Sequence, residues 1–338
     1  MKVLICEEPG RLTLGERPTP DIEPGEVLVR IRRVGVCGTD FHICEGKHPY
    51  LEYPRVMGHE LSGEVVRTSP GSTAGFRPGQ QVAVLPYVAC GHCVACRRGK
   101  PNCCMAIQVL GVHRDGGMCE FLAVPERNVV DAEGISIDQA AMLEFLAIGA
   151  HAVRRARLQP GTRALVVGTG PVGIGAMLFA RIEGVSVTAL DTRPDRLRFC
   201  REELGIESTL MPGEDMIAQM RDLTQGEFYD TVFDATGHAG AMMKGFEYVA
   251  HGGTYVLISV VKDHINFSDP EFHKREMSLL GSRNATADDF QHVLANVRSG
   301  NIPTHLLNTH KAPLSDAVKS IADWMKAETG VIKALVEV

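Results

Sequence analysis

Three sets of residues in this 338-residue chain have the types and spacing to do chemistry. The densest is the run Cys90-Gly-His-Cys93-Val-Ala-Cys96, followed by the adjacent thiols Cys103 and Cys104. C-x2-C-x2-C with a further thiol beyond a Gly/Pro-containing loop brings four sulfurs round one point, which suits tetrahedral Zn²⁺. Four thiolates close the shell, so a metal held there builds structure and offers a reactant no position. The second set is quieter. Cys37, in Gly35-Val-Cys37-Gly-Thr39-Asp40-Phe-His42, and His59-Glu60, after Gly58, come from separate loops. A thiolate, an imidazole and a carboxylate can hold Zn²⁺ with one position left open. Such a metal is a Lewis acid that lowers the pKa of an alcohol, so that hydride can leave its carbon. A lone Cys or His in a turn is most often structural; the weight comes from the combination.

The third set is Leu165-Val-Val-Gly168-Thr-Gly170-Pro171-Val172-Gly173, an apolar strand entering G-x-G-x-x-G and then a helical pattern. Glycines let the backbone approach a pyrophosphate, and the helix N-terminus attracts its charge. The next apolar run ends in Asp191, at the offset of about 20 residues where a carboxylate bonds an adenosine ribose. Asp191 repels a 2′-phosphate and so favours NAD over NADP, a preference that the nearby Arg193 and Arg196 weaken.

These sets need elements to position them. Up to about residue 145 the chain shows short β-like runs bounded by turns such as Pro24-Gly25 and Pro78-Gly79, which implies a compact β-rich module with long loops. Beyond it, apolar runs alternate with helical patterns, the signature of a parallel α/β sheet. Strands are expected at 164–167, 186–190, 231–233, 254–259 and 278–280, and helices at 172–183, 196–204, 239–249 and 288–299. From about Asn284 the alternation stops, and the tail is expected to return to the first module.

Composition excludes several classes. Apolar content of 44% and charged content of 22% are those of a globular protein. The net charge of -6 is spread without a basic arm, which argues against a nucleic-acid partner. No apolar run approaches the ~20 residues needed to cross a bilayer, and the first residues lack a signal-peptide pattern. Ten cysteines in a chain this long, half of them in one cluster, fit a reducing cytoplasm better than a disulfide scaffold.

Over nearly its whole length the sequence resembles the zinc-dependent medium-chain alcohol/polyol dehydrogenases. The segments that carry the resemblance are 35–42, 58–60, 90–104, 111–117, 168–173 and 281–286. The resemblance implies an α/β protein with a β-rich, GroES-like catalytic domain at 1–146 and 284–338, a zinc lobe at 88–106 and a Rossmann domain at 147–283. It further implies two Zn²⁺ per chain, NAD and a homo-oligomer, either dimer or tetramer. Carried over by position, Cys37 and His59 are ligands of a catalytic zinc, and Glu60 is the adjacent acid that binds or orients it. Glu144 matches a further acid near zinc in polyol-type members, although Phe145 stands where those usually have proline. Thr39 corresponds to a hydroxyl that passes on the substrate proton, and His42 to the end of a relay. The family spacing selects Cys90, Cys93, Cys96 and Cys104 for the structural zinc.

In segments 84–90, 111–117, 267–274 and 281–286 the chain further resembles bacterial sugar-acid dehydrogenases of the L-galactonate/L-gulonate 5-dehydrogenase type. A sugar acid needs a cation for its carboxylate, for which Lys47, His48, His113, Arg114 and Arg283 are candidates. Arg283 is equally a candidate for the cofactor. A threonine-type, sorbitol or simple alcohol dehydrogenase would share every motif. A catalytically silent zinc- or nucleotide-binding regulator is the alternative from another class.

Overall fold

The computed structural model describes residues 1–48 and 51–338. The chain divides into two compact units, Met1–Glu144 with Ala285–Val338, and Phe145–Asn284.

In the first unit, alternating and β-branched runs make the strands. Glu26–Val36 buries Val27, Val29, Ile31 and Val34 almost completely and forms the middle of a seven-stranded sheet. Along that sheet the order is Val129–Asp131, Gln81–Val84, Glu60–Thr68, Glu26–Val36, Lys333–Glu337 and Asn308–Pro313, with Phe121–Pro125 pairing Glu26–Val36 as well. The C-terminal strand is therefore stitched beside Glu26–Val36, with Ala334 opposite Val36. Helix Ile137–Ala141, opened by a Ser136–Gln139 capping box, supports the same sheet. A two-stranded ladder, Tyr87–Val88 with Gln108–Val109, brackets the cysteine run.

The second unit is a six-stranded parallel sheet. Its order is Ser208–Leu210, Ser186–Leu190, Arg163–Val167, Tyr229–Asp234, Val249–Leu257 and Ser278–Gly281, the doubly wound nucleotide-binding topology. Ala164, Leu165 and Val166 are wholly buried, as central strands of parallel sheets covered on both faces must be. The mixed α/β class with a β-rich and a Rossmann-type half is therefore the observed one. No helix among the described residues is long and apolar enough to cross a membrane.

The expected helix at 239–249 is shorter. It runs Ala239–Gly245, passes into a 3₁₀ turn at Phe246–Tyr248, and gives way to strand Val249–Leu257. A side chain on Gly245 would lie 2.0 Å from the Tyr255 hydroxyl, so the helix end and that strand touch at a glycine.

Candidate active site

Two neighbouring strands deliver the open-site residues. Glu26–Val36 ends at Cys37, the N-cap of the short helix Gly38–Cys44, and Glu60 begins the next strand opposite Gly35. Gly58 turns the chain into that strand with φ +92°; a Cβ there would strike Val34 and Met118. Asp40 is fully buried and fastens the two loops together, its carboxylate accepting the Cys37 N–H at 2.9 Å and the Gly58 N–H at 3.3 Å. One donor atom from each of Cys37, His59 and Glu60 then lies within 4.8 Å of the other two.

The surroundings are strongly anionic. Lys333, from the C-terminal strand, donates to Glu60 Oε1 at 2.6 Å and Oε2 at 2.8 Å, and both side chains are wholly buried. Glu144, in the first turn of helix Leu143–Ala156, accepts a hydrogen bond from the Tyr87 hydroxyl at Oε1. Burial, reinforced by Glu60, pushes the Glu144 carboxyl up to about 7 against the opposing pull of His59, Tyr87 and Lys333. Burial likewise raises the Asp40 carboxyl. For His59, burial alone would lower the pKa, but Cys37, Asp40 and Glu144 together hold it well above the ordinary histidine value. Within this pocket of acids, His59 Nδ1 and Glu144 Oε2 are buried without a hydrogen-bond partner among the described residues. One lysine faces a thiol and three carboxyls, so a dication fits both the charge and the mixed sulfur, nitrogen and oxygen donors.

Other expected site residues have definite places. The Thr39 hydroxyl lies 3.9 Å from Cys37 Sγ, and His42 stands exposed one turn further along the same helix. Lys47 pairs with Glu45 at 2.9 Å, and His48 is half-buried. His113 Nδ1 accepts the Val109 N–H at 3.1 Å, a local tie within its own loop. Arg114 lines a cavity of about 430 Å³ with Met1, Val3, Arg17 and Asp115, and no residue of the Cys37 group lines it. Arg283 is exposed.

The sulfurs of Cys90, Cys93, Cys96 and Cys104 lie within 4.8 Å of one another, while Cys103 is exposed and outside the group. The Cys90 N–H donates to Cys104 Sγ at 3.2 Å. Backbone N–H groups of Cys96 and Met105 draw the Cys93 thiol down to about 6, which favours the thiolate that binds metal. This shell fits zinc, and all four positions are filled by protein.

In the second unit, the chain leaves strand Arg163–Val167 through Gly168, at φ +94°, and enters helix Pro171–Ile182 after Gly170. A side chain on Gly173 would sit 1.9 Å from the Gly168 carbonyl oxygen, so only glycine lets the helix start this close to the strand. Pro171 takes the first helical position and Val172 the second. Asp191 accepts from the Thr169 N–H and hydroxyl, each at 2.7 Å, and from the Arg193 N–H at 2.9 Å. Arg193 spends its guanidinium on Asp195 at 2.6 Å, and Arg196 is half-buried, its pKa lowered chiefly by that burial. Bare glycine turn, free helix N-terminus and a carboxylate at the following strand end form the cradle of a dinucleotide.

Comparison with known proteins agrees with this geometry. The family model described as alcohol dehydrogenase GroES-like domain matches residues 23–134, and that described as zinc-binding dehydrogenase matches 171–299. L-Galactonate-5-dehydrogenase of Escherichia coli (strain K12) is 44% identical over 93% of this chain and 92% of its own. The chain belongs to the zinc-containing medium-chain alcohol dehydrogenase family. Another relative, 2-dehydro-3-deoxy-L-galactonate 5-dehydrogenase of Pseudoalteromonas atlantica, is 30% identical over 93% of this chain and 92% of its own. Among solved structures, a short chain alcohol dehydrogenase from E. coli CFT073 complexed with NADH superposes with a TM-score of 0.93 at 29% identity, covering 100% of this chain and 99% of that one. This member of the family is a zinc-dependent NAD dehydrogenase acting on CH–OH groups, with a closed Cys₄ zinc site and an open Cys/His/Glu site. Sequence reasoning named no role for Asp40, Tyr87 or Lys333. Asp40 carried a weak signal, as an acid three residues after the helix N-cap Cys37; Tyr87 and Lys333 carried none, because their partners are 57 and 273 residues away.

Proposed function

We propose that the enzyme oxidises a secondary hydroxyl of a sugar acid, at C5 of an L-galactonate- or L-gulonate-type aldonate. The observation that carries this reading is the identity of 44%, over nearly the full length of both chains, to an L-galactonate-5-dehydrogenase. It is joined to a site in which Cys37, His59 and Glu60 converge. Zinc bound there supplies Lewis acidity, and NAD bound at the glycine turn supplies the hydride acceptor.

The protein's own groups do the rest. Cys37 and His59 hold the metal, and Glu60 or Glu144 provides the acid beside it. Asp40 keeps the two loops in register through its backbone hydrogen bonds. Thr39 accepts the substrate's hydroxyl proton, and His42, exposed on the same helix, returns it to solvent. Gly168, Gly170 and Gly173 admit the pyrophosphate, Asp191 bonds the ribose, and Arg283 is assigned to the cofactor. Lys47 and His48 are assigned to the substrate carboxylate. Cys90, Cys93, Cys96 and Cys104 hold the structural zinc.

The edge strand Ser278–Gly281, with Leu279 39% exposed, supports assembly into a homo-oligomer. None of the ten cysteines is in a disulfide, which supports a reducing, cytoplasmic setting.

The test is NADH formation by zinc-loaded enzyme with L-galactonate, L-gulonate, other hexonates, sorbitol, threonine and ethanol. A hexonate should exceed the polyol, threonine and ethanol by on the order of tenfold or more in kcat/KM. Preference for threonine or a polyol overturns the substrate, and turnover of none overturns the reaction.

A further inference from the structure

We propose that Tyr87 is a positioning residue of the active site, whose phenol sets the orientation of the Glu144 carboxylate and ties it to the cysteine lobe. This rests on the reading of Cys37, His59 and the acids beside them as the centre of the dehydrogenase.

The contact lies in the protein interior, with Tyr87 6% and Glu144 2% exposed. The phenol engages Oε1, and Oε2 is buried with no hydrogen-bond partner among the described residues. A carboxylate held by one oxygen keeps the other fixed in direction, which a buried acid beside His59, Glu60 and Lys333 needs if it is to serve the metal. Without the phenol, both oxygens of Glu144 would be buried and unsatisfied, and the group would turn to find other partners.

The position of the phenol is itself set from the lobe. The side chain of Asn128, 2% exposed, donates to the carbonyls of Leu85 at 2.7 Å and Tyr87 at 3.1 Å, pinning the backbone there. Tyr87 pairs with Val109 and Val88 with Gln108, so the ladder joins the two ends of the segment that carries the four thiols. Cys90 follows two residues after Val88, and its N–H reaches Cys104 Sγ. The four thiols would hold zinc, and the same segment reaches Glu144 through the ladder and Tyr87, so an ordered lobe would keep the phenol in place.

Tyr87→Phe removes one oxygen and keeps the ring. In zinc-loaded enzyme acting on L-galactonate, kcat should fall on the order of tenfold to a hundredfold, with KM for NAD⁺ unchanged and two zincs retained. Glu144→Gln should also lose kcat, and the double variant should be no slower than the slower single variant, because both act through one contact. With Co²⁺ in place of zinc at the Cys37 site, the visible absorption of Tyr87→Phe should depart from the parent and approach that of Glu144→Gln. A packing role alone would lower the thermal midpoint and leave the Co²⁺ spectrum and kcat where they were. An unchanged kcat, or losses that multiply in the double variant, overturns the proposal. Should the parent enzyme oxidise no hydroxyl compound, the dehydrogenase reading fails, and the Co²⁺ spectra alone decide for or against Tyr87.

Discussion

Lys333 and Glu60 form a two-pronged ion pair with neither side chain exposed, and the two residues enter from strands 273 positions apart in sequence. A third contact, from Lys333 Nζ to the Val36 carbonyl at 3.2 Å, places the ammonium beside the residue that precedes Cys37. The pocket is shaped for it, since a side chain on Gly35 would lie 2.0 Å from Glu60 Oε2. Burial would lower the Lys333 pKa, but Glu60 and Cys37 outweigh it and hold the amine above the ordinary lysine value, so the pair stays charged. A buried pair adds little net stability over an apolar pair of the same shape. Its value here is local: one cation offsets one of several acids around Cys37 and His59.

Breaking that pair on one side should be far worse than removing it. Lys333→Met leaves Glu60 charged and uncompensated and should cost about 3–5 kcal/mol. The double variant Glu60→Gln with Lys333→Met should recover at least about 1 kcal/mol of that loss. Urea midpoints of protein carrying zinc in the Cys₄ site alone measure both, because a dication beside Glu60 would itself offset the charge left by Lys333→Met. A Lys333→Met midpoint within experimental error of the parent would show that the pair carries no such constraint.

The two adjacent thiols of the lobe make a sharper comparison. Cys104 is buried within the sulfur group, whereas Cys103 is exposed and outside it. Cys103→Ser should therefore retain two zincs per chain, with activity within about twofold of the parent, because its sulfur lies outside the group of four. Cys104→Ser should retain one zinc and lose stability, since three thiolates leave the shell open and the ladder at Tyr87 loosens. Metal analysis after gel filtration separates the two, and loss of zinc from Cys103→Ser would reverse the assignment.

What the sequence discloses depends on how far apart the interacting residues lie. The cysteine lobe and the glycine turn are local, so spacing alone carries their chemistry. The strand expected at 186–190 is found as Ser186–Leu190, because Val187, Ala189 and Leu190 form a short apolar run whose inner end is covered by the sheet. Two helices begin one or two residues earlier than their apolar pattern suggests, at Pro171 and Pro194, since proline takes the first turn without loss of a hydrogen bond. Strand Ser208–Leu210 escapes notice because it is three residues long and half-polar. Lys333 reads as an ordinary surface lysine at the head of an apolar strand. Only the pairing of that strand with Glu26–Val36 buries it beside Glu60.

The return of the C-terminal segment is also fastened electrostatically, and this gives stability a specific acid dependence. Asp138, at the start of helix Ile137–Ala141, bonds Arg33 at 2.7 Å and also pairs with Lys311, while Arg33 reaches Glu337 at 3.0 Å. Burial pushes the Asp138 carboxyl up, but Lys311 and Arg33 outweigh it and hold it below the usual aspartate value. An unfolded chain binds this proton at about pH 4, and the folded chain binds it only at lower pH. The contribution is therefore fully present above about pH 4 and is lost as pH falls through the lower, folded value. Because the partners are partly exposed, the effect should be about 1 kcal/mol. Asp138→Asn should lower the urea midpoint at about pH 6, and the gap between variant and parent should narrow steadily toward about pH 3. A gap that stays constant across that range would mean that Asp138 contributes through packing and not through its charge.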